Sequence, residues 1–170
     1  MNSIVEYNTE LKTYLNPQSK LSAFKYLFLF LTVLWCAGFM LPVLPDFSGK
    51  PIVHQLLKYN YSLVCHQSES ASIYLGNDQL LVCARCSGIY AGALLILLLA
   101  LIKSFSIKYS LKPLFLFSAP LAIDALAIRL GIYSYSKIIA LISGFLFGAV
   151  LIFYVLDSVK NSFHLLNKNI

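Results

Sequence analysis

The sequence predicts an all-α, polytopic membrane protein of four transmembrane helices, with a long first loop that carries a short amphipathic helix. Two observations lead there. Hydrophobic residues make up 59% of the 170 and charged residues only 12%, against about 45–50% and about 25% in soluble domains. The apolar residues also gather into four runs, near 26–44, 80–102, 114–130 and 137–156. Each is close to the ~20 helical residues that cross ~30 Å of hydrocarbon. A soluble fold of this size keeps about 30% of its unfolded surface in water and needs a polar shell that this chain lacks. The composition excludes a soluble enzyme, a disordered tail and a disulfide-stapled miniprotein. With no internal repeat, residues 1–170 read as a single membrane domain.

Residues 1–20 are mostly polar, with Glu6, Glu10, Lys12 and Lys20, and do not read as a signal peptide. The first span follows and contains Cys36, read as a buried apolar residue. The bulky Trp35 before it argues against a lipid-attachment site. Pro42, Pro45, Asp46 and Gly49 end that span and open the loop 46–79. Loops of that length tend to be functional or to hold structure of their own. Within it Ile52, Val53, Leu56, Leu57 and Tyr61 recur at helical spacing, which predicts the amphipathic surface helix. The third span carries Asp124 and the fourth ends in a polar tail.

Four spans put both termini on one side. Lys12, Lys20, Lys25, Lys103, Lys108, Lys112, Lys160 and Lys168 flank that side; Lys50, Lys58, Arg85, Arg129 and Lys137 flank the other. The excess of Lys and Arg predicts cytoplasmic termini and an external first loop. The net charge of +6 is read as orientation and contact with anionic lipid. The lysines are dispersed and only two arginines occur, so no nucleic-acid partner is expected.

The chemistry-bearing residues concentrate in one stretch. Cys65-His66-Gln67 lies in the loop, and Cys83-Ala84-Arg85-Cys86 opens the second span. In a helix Cys83 and Cys86 share a face. With Cys65 and His66 they supply a Cys3His ligand set that suits Zn²⁺, with iron as the other candidate and His54 as a substitute ligand. The alternatives are a disulfide from Cys65 to Cys83 or Cys86, and inert thiols. A helix N-terminus beside Arg85 favours thiolates, which suits metal binding and thiol–disulfide exchange alike.

A carboxylate within a span costs about 2.5–3.5 kcal/mol on insertion scales and needs a partner. Asp124 is therefore a candidate for metal support, proton acceptance or pairing with Arg85, while Arg129 reads as an interface anchor. Catalytic candidates are Asp124, His66 and Arg85. Gly88/Gly92 and Gly144/Gly148 form Gly-x-x-x-Gly faces suited to close helix packing, within the chain or between copies of a homo-oligomer. No nucleotide-binding glycine loop, Ser-His-Asp set or His-Glu-x-x-His helix occurs.

The string Cys65-His66-Gln67 followed by Cys83-x-Arg85-Cys86-Ser87-Gly88-Ile89-Tyr90-x-Gly92 resembles the signature of an uncharacterised membrane-protein family of bacteria and archaea, domain of unknown function 2085. Pro120, Asp124, Ser143 and Gly144 match a second part of that pattern, and the resemblance covers roughly residues 50–150. It implies a prokaryotic cell membrane and supports the cysteine site, but supplies no reaction. The chain departs from the pattern in having no Arg within Ser68–Ile73 and Ala140 where an Arg is usual, with Lys137 nearby.

Three functional readings follow. A metal site at the outer membrane face, structural or catalytic, is the first. A quinone-linked thiol oxidoreductase using Cys83 and Cys86 is the second. A channel, transporter or assembly factor built around Asp124 is the third.

Overall fold

The computed structural model describes residues 17–44, 51–76, 78–102 and 112–168. Residues 1–16, with Glu6, Glu10 and Lys12, and Pro45, Asp46, Gly49, Lys50, Lys103 and Lys108 lie outside them. In chain order the elements are α1 (Pro17–Met40), a 3-10 turn (Leu41–Val43), α2 (Pro51–Ser62), β1 (Ser72–Leu75), β2 (Asp78–Cys83), α3 (Ala84–Ile102), α4 (Lys112–Arg129) and α5 (Lys137–Lys168).

Three segments are long and apolar enough to cross a membrane: Leu21–Val43, Ala84–Ile102 and Lys137–Ser162. At 1.5 Å per residue they reach ~28–39 Å. The remaining expected span falls on α4, whose 18 residues include Lys112, Asp124, Arg129 and the helix-interior Pro120. Its charge content sets it apart from the other three. Large apolar side chains cover the outer surface: Phe30 is 63% exposed, Phe115 71% and Ile138 70%. Such a surface is stable against lipid tails and not against water.

The bundle is built around α3 and α5. Gly88 abuts the carbonyl of Leu141, and Gly92 that of Phe145. Gly144 in turn abuts the carbonyl of Arg85, and Gly148 that of Ile89. The two glycine faces thus meet each other inside the chain, where no side chain would fit. α1 closes the other side through Phe24, Phe28 and Leu29, packed on Ala93, Leu97, Ala100, Ile152 and Leu156. Lys25 Nζ donates to the Ala100 carbonyl at 2.9 Å. α4 packs along α5.

The first loop folds into a cap. α2 forms over Pro51–Ser62, where the helical spacing predicts it. The hairpin β1–β2 was not expected. It is antiparallel, pairing Ser72 with Cys83, Tyr74 with Gln79 and Leu75 with Asp78. Gly76 takes a left-handed φ of +68° in its turn. The second span therefore begins at Ala84 and not near residue 80. Leu80, Leu81 and Val82 continue the apolar run of α3 in sequence, so hydropathy alone joins them to it. In the fold they are the buried strand of the cap, packed with Cys36, Phe39, Tyr61 and Cys65. Cys36 is buried, as its sequence context indicates.

Candidate metal centre

Three chain segments converge where the cap meets the bundle. Cys65 follows α2, and its N–H donates to the Tyr61 carbonyl at 2.9 Å, extending the last helical turn. The chain then reverses at Gln67, whose φ of +48° lies in the left-handed region. Gln67 Nε2 donates to the Lys58 carbonyl at 2.9 Å, tying the reversal to α2. Cys83 is the last residue of β2 and Cys86 lies in the first turn of α3. The two do not share one helix, as the spacing suggested. They straddle a strand-to-helix junction, secured by the Ala84 N–H to the Ala71 carbonyl at 2.9 Å.

The sulfurs of Cys65, Cys83 and Cys86 all lie within 4.8 Å of one another. Cys65 is buried and the other two half-buried, and all are free thiols. The Cys83 N–H donates to Cys65 Sγ at 3.1 Å. The thiols of Cys83 and Cys86, then the N–H groups of Gln67 and Cys83, hold the Cys65 thiol far below its usual range, at about 2. Cys83 shifts the opposite way, chiefly because its proton is shared with Cys65. Three thiols in contact cannot all ionise without a cation, so the negative charge settles on Cys65, the sulfur that accepts the most hydrogen bonds.

His66 does not join this group. Its side chain is exposed while that of Cys65 is buried. Adjacent residues entering a tight reversal point to different sides, and Cys65 takes the inner one. His54 is likewise exposed, on α2, and outside the group.

Beside the thiols lies a second polar cluster. Arg85 Nη2 donates to Asp124 Oδ2 and forms an ion pair with it. Tyr133, in the connection after α4, donates to Asp124 Oδ1. The Arg85 guanidinium sits 6.0 Å from the Tyr135 ring centroid, close enough for a cation–π contact. The Tyr135 hydroxyl donates to the Ala71 carbonyl at 3.4 Å. Burial pushes the Tyr135 phenol up to about 12, and the bond to Asp124 raises Tyr133.

Of the three readings for Asp124, pairing with Arg85 is the one its contacts match. Both carboxylate oxygens are engaged, Oδ2 by Arg85 and Oδ1 by Tyr133. Arg129 is exposed and apart from the cluster. Tyr133 and Tyr135 were missed by sequence reasoning. Their only signal is a Tyr-x-Tyr in the short connection just after the Asp-bearing helix.

No solved structure matches this chain. An uncharacterized protein of Methanocaldococcus jannaschii is 32% identical over 99 residues, which cover 56% of this chain and 64% of the relative. The matched segment thus spans less than two thirds of that relative's length. The sequence profile of one family fits residues 65–154, from the first clustered cysteine through Arg85 and Asp124 to the paired glycines of α5. The chain belongs to that family, described as predicted membrane proteins, domain of unknown function 2085.

Proposed function

We propose that this protein holds a soft metal ion, Zn²⁺ before iron, on the thiolates of Cys65, Cys83 and Cys86 at one membrane face. The observation that carries the reading is the convergence of three sulfurs within 4.8 Å. Thiolates around a tetrahedral zinc at ~2.3 Å stand ~3.8 Å apart, which a small side-chain adjustment reaches. Thiolate donors select zinc and iron over harder cations. Bound there, the ion would supply a Lewis-acidic centre that also ties the cap loop, the hairpin and α3 together.

Three protein ligands leave a fourth position for water or a small exogenous donor. Structural zinc sites are closed by four protein groups, whereas catalytic ones keep an opening. Among the described residues no further His, Cys, Asp or Glu joins the group. We read the centre as open to a ligand, with the reaction itself unassigned.

In this reading α4 also crosses the membrane. Its Asp124 is neutralised by Arg85, and Lys112 and Arg129 lie at its two ends, which lowers the cost of insertion. Four crossings put both termini on the Lys-rich cytoplasmic side and the cap outside.

The test is elemental analysis of the full-length protein, purified reduced and without chelators. About one zinc or iron per chain is expected, lost in C65S, C83S and C86S and retained in C36S. Metal-free wild-type protein would overturn the reading. A second reading rests on the same three thiols acting in redox exchange. Two of them would join in a disulfide, giving two electrons and two protons to a membrane quinone. Reversible loss of two titratable thiols on adding a quinone, in protein that carries no metal, would favour it.

A further inference from the structure

The thiol cluster leaves one large feature of the bundle unused. A groove of about 340 Å³ runs where α1, α3 and α5 meet, walled by Phe28, Leu31, Trp35, Tyr90, Ala93 and Ile152. Its volume lies in the range of ligand pockets, about 300–1,000 Å³. The threonine on its wall, Thr32, donates its hydroxyl to the Phe28 carbonyl at 2.8 Å and offers a ligand no free proton. An apolar groove of this kind gives water few partners and favours a hydrocarbon occupant.

Its depth is set by helix geometry. Trp35 lies five residues before Met40, the thiol-side end of α1, and Phe28 twelve. At 1.5 Å per residue the groove runs from ~7.5 to ~18 Å below that end, within the hydrocarbon layer. Leu31 and Trp35 at its rim are 51% and 37% exposed, so it opens sideways. Tyr90 belongs both to the groove wall and to the core beneath the thiols. Its ring lies tilted against those of Trp35 and Phe39, with centroids 6.4 Å and 5.8 Å away.

We propose that this groove binds one hydrocarbon chain of a membrane lipid, taken from the side of the bundle, with the lipid's polar end toward the thiol cap. The inference stands whether or not the cysteines hold a metal. A second copy of the chain is the competing occupant.

Trp35 is the single tryptophan of the sequence, so its fluorescence reports the groove. The full-length protein in detergent is titrated with a phospholipid brominated on its acyl chain. Saturable quenching at about one lipid per chain is expected, weakened about tenfold or more by T32F, which fills the groove. L151F, on the opposite wall, carries the same expectation should T32F fail to fold. L98F, on an exposed position outside the groove, should leave quenching unchanged. Non-saturating quenching, equal in all variants, would mean bulk lipid only and would overturn the proposal. So would wild-type protein that is dimeric and unquenched, with T32F monomeric, since the groove would then hold a second copy.

Discussion

Placing a methyl group at Gly148 measures how closely α3 and α5 approach. A Cβ built there stands 2.7 Å from the Ile89 carbonyl carbon and 2.8 Å from its Cα, where ordinary contact begins at 3.4 Å. The Ile89 carbonyl oxygen stands closer still, so relieving these contacts needs more than about 0.7 Å of helix separation (3.4 less 2.7). These atoms are backbone, so no side chain can swing aside. Overpacking costs about 1–3 kcal/mol, and Ala recovers about 1 kcal/mol of helix propensity over Gly. G148A is therefore expected to lose about 1 kcal/mol net, about fivefold in the unfolding equilibrium. G148L must open the interface fully and should lose about 3 kcal/mol. I142A, at a 55% exposed position on the same helix, should stay within about 0.5 kcal/mol. Titration of sodium dodecyl sulfate into mild-detergent micelles, followed by circular dichroism, measures each. A gain of about 1 kcal/mol in G148A, with G148L near neutral, would show propensity acting alone and refute the close approach.

Other substitutions probe the cap and the ion pair. D124A strands Arg85 and Tyr133; breaking a buried pair costs about 3–5 kcal/mol, and the 24% exposure of the Arg85 side chain lowers the expected loss to about 2–3 kcal/mol. The double variant R85L/D124L should regain most of it, and the same detergent titration decides. Y61F removes the hydroxyl that donates to the Trp35 carbonyl at 2.7 Å; a loss of about 0.5–1.5 kcal/mol is expected, with a changed near-ultraviolet signal from Trp35. In reduced, metal-free protein the Cys65 thiol is held below its ordinary value of 9.0, at about 2. Its contribution to stability is complete above pH 9 and declines as pH falls toward 2. The wild-type minus C65S stability difference should shrink on acidification, and a difference independent of pH would contradict this.

Much of the bundle was legible because lipid imposes simple constraints. Uninterrupted apolar runs near 26–44 and 137–156 have few structural alternatives in a chain this poor in charge. The glycine pairs announced a close contact, since only backbone-to-backbone packing needs two small residues four apart on both helices. Asp124 announced a partner for an energetic reason, the cost of an isolated carboxylate at that depth. The hairpin was illegible for the opposite reason. Leu80, Leu81 and Val82 are buried in protein while most residues of α3 are not, and hydropathy scores both alike. His66 stands outside the three sulfurs because ligand chemistry is readable from residue type, whereas the direction of a side chain depends on a reversal at Gln67 that carries no glycine to mark it.

The spacing within Cys83-Ala84-Arg85-Cys86 follows from what each residue must reach. Cys83 ends the strand and Cys86 lies in the helix, so both sulfurs return to Cys65 across the junction. Arg85 sends its guanidinium to Asp124 on α4, while its carbonyl lies against Gly144 of α5. Four consecutive residues thus fasten the cap, α4 and α5 to the start of α3. Charge follows the same logic. Arg85 and Asp124 cancel each other, so the guanidinium does not neutralise the thiols. Without a cation the cluster sheds its first proton from Cys65 and keeps Cys83 protonated. A divalent ion on three thiolates leaves a net charge of −1 in place of three mutually repelling anions. The ion pair is therefore best understood as holding α3 and α4 in register, leaving the thiols dependent on a metal for full ionisation. Removing the ion pair should destabilise the bundle more than it changes metal stoichiometry, and removing a thiol should do the reverse.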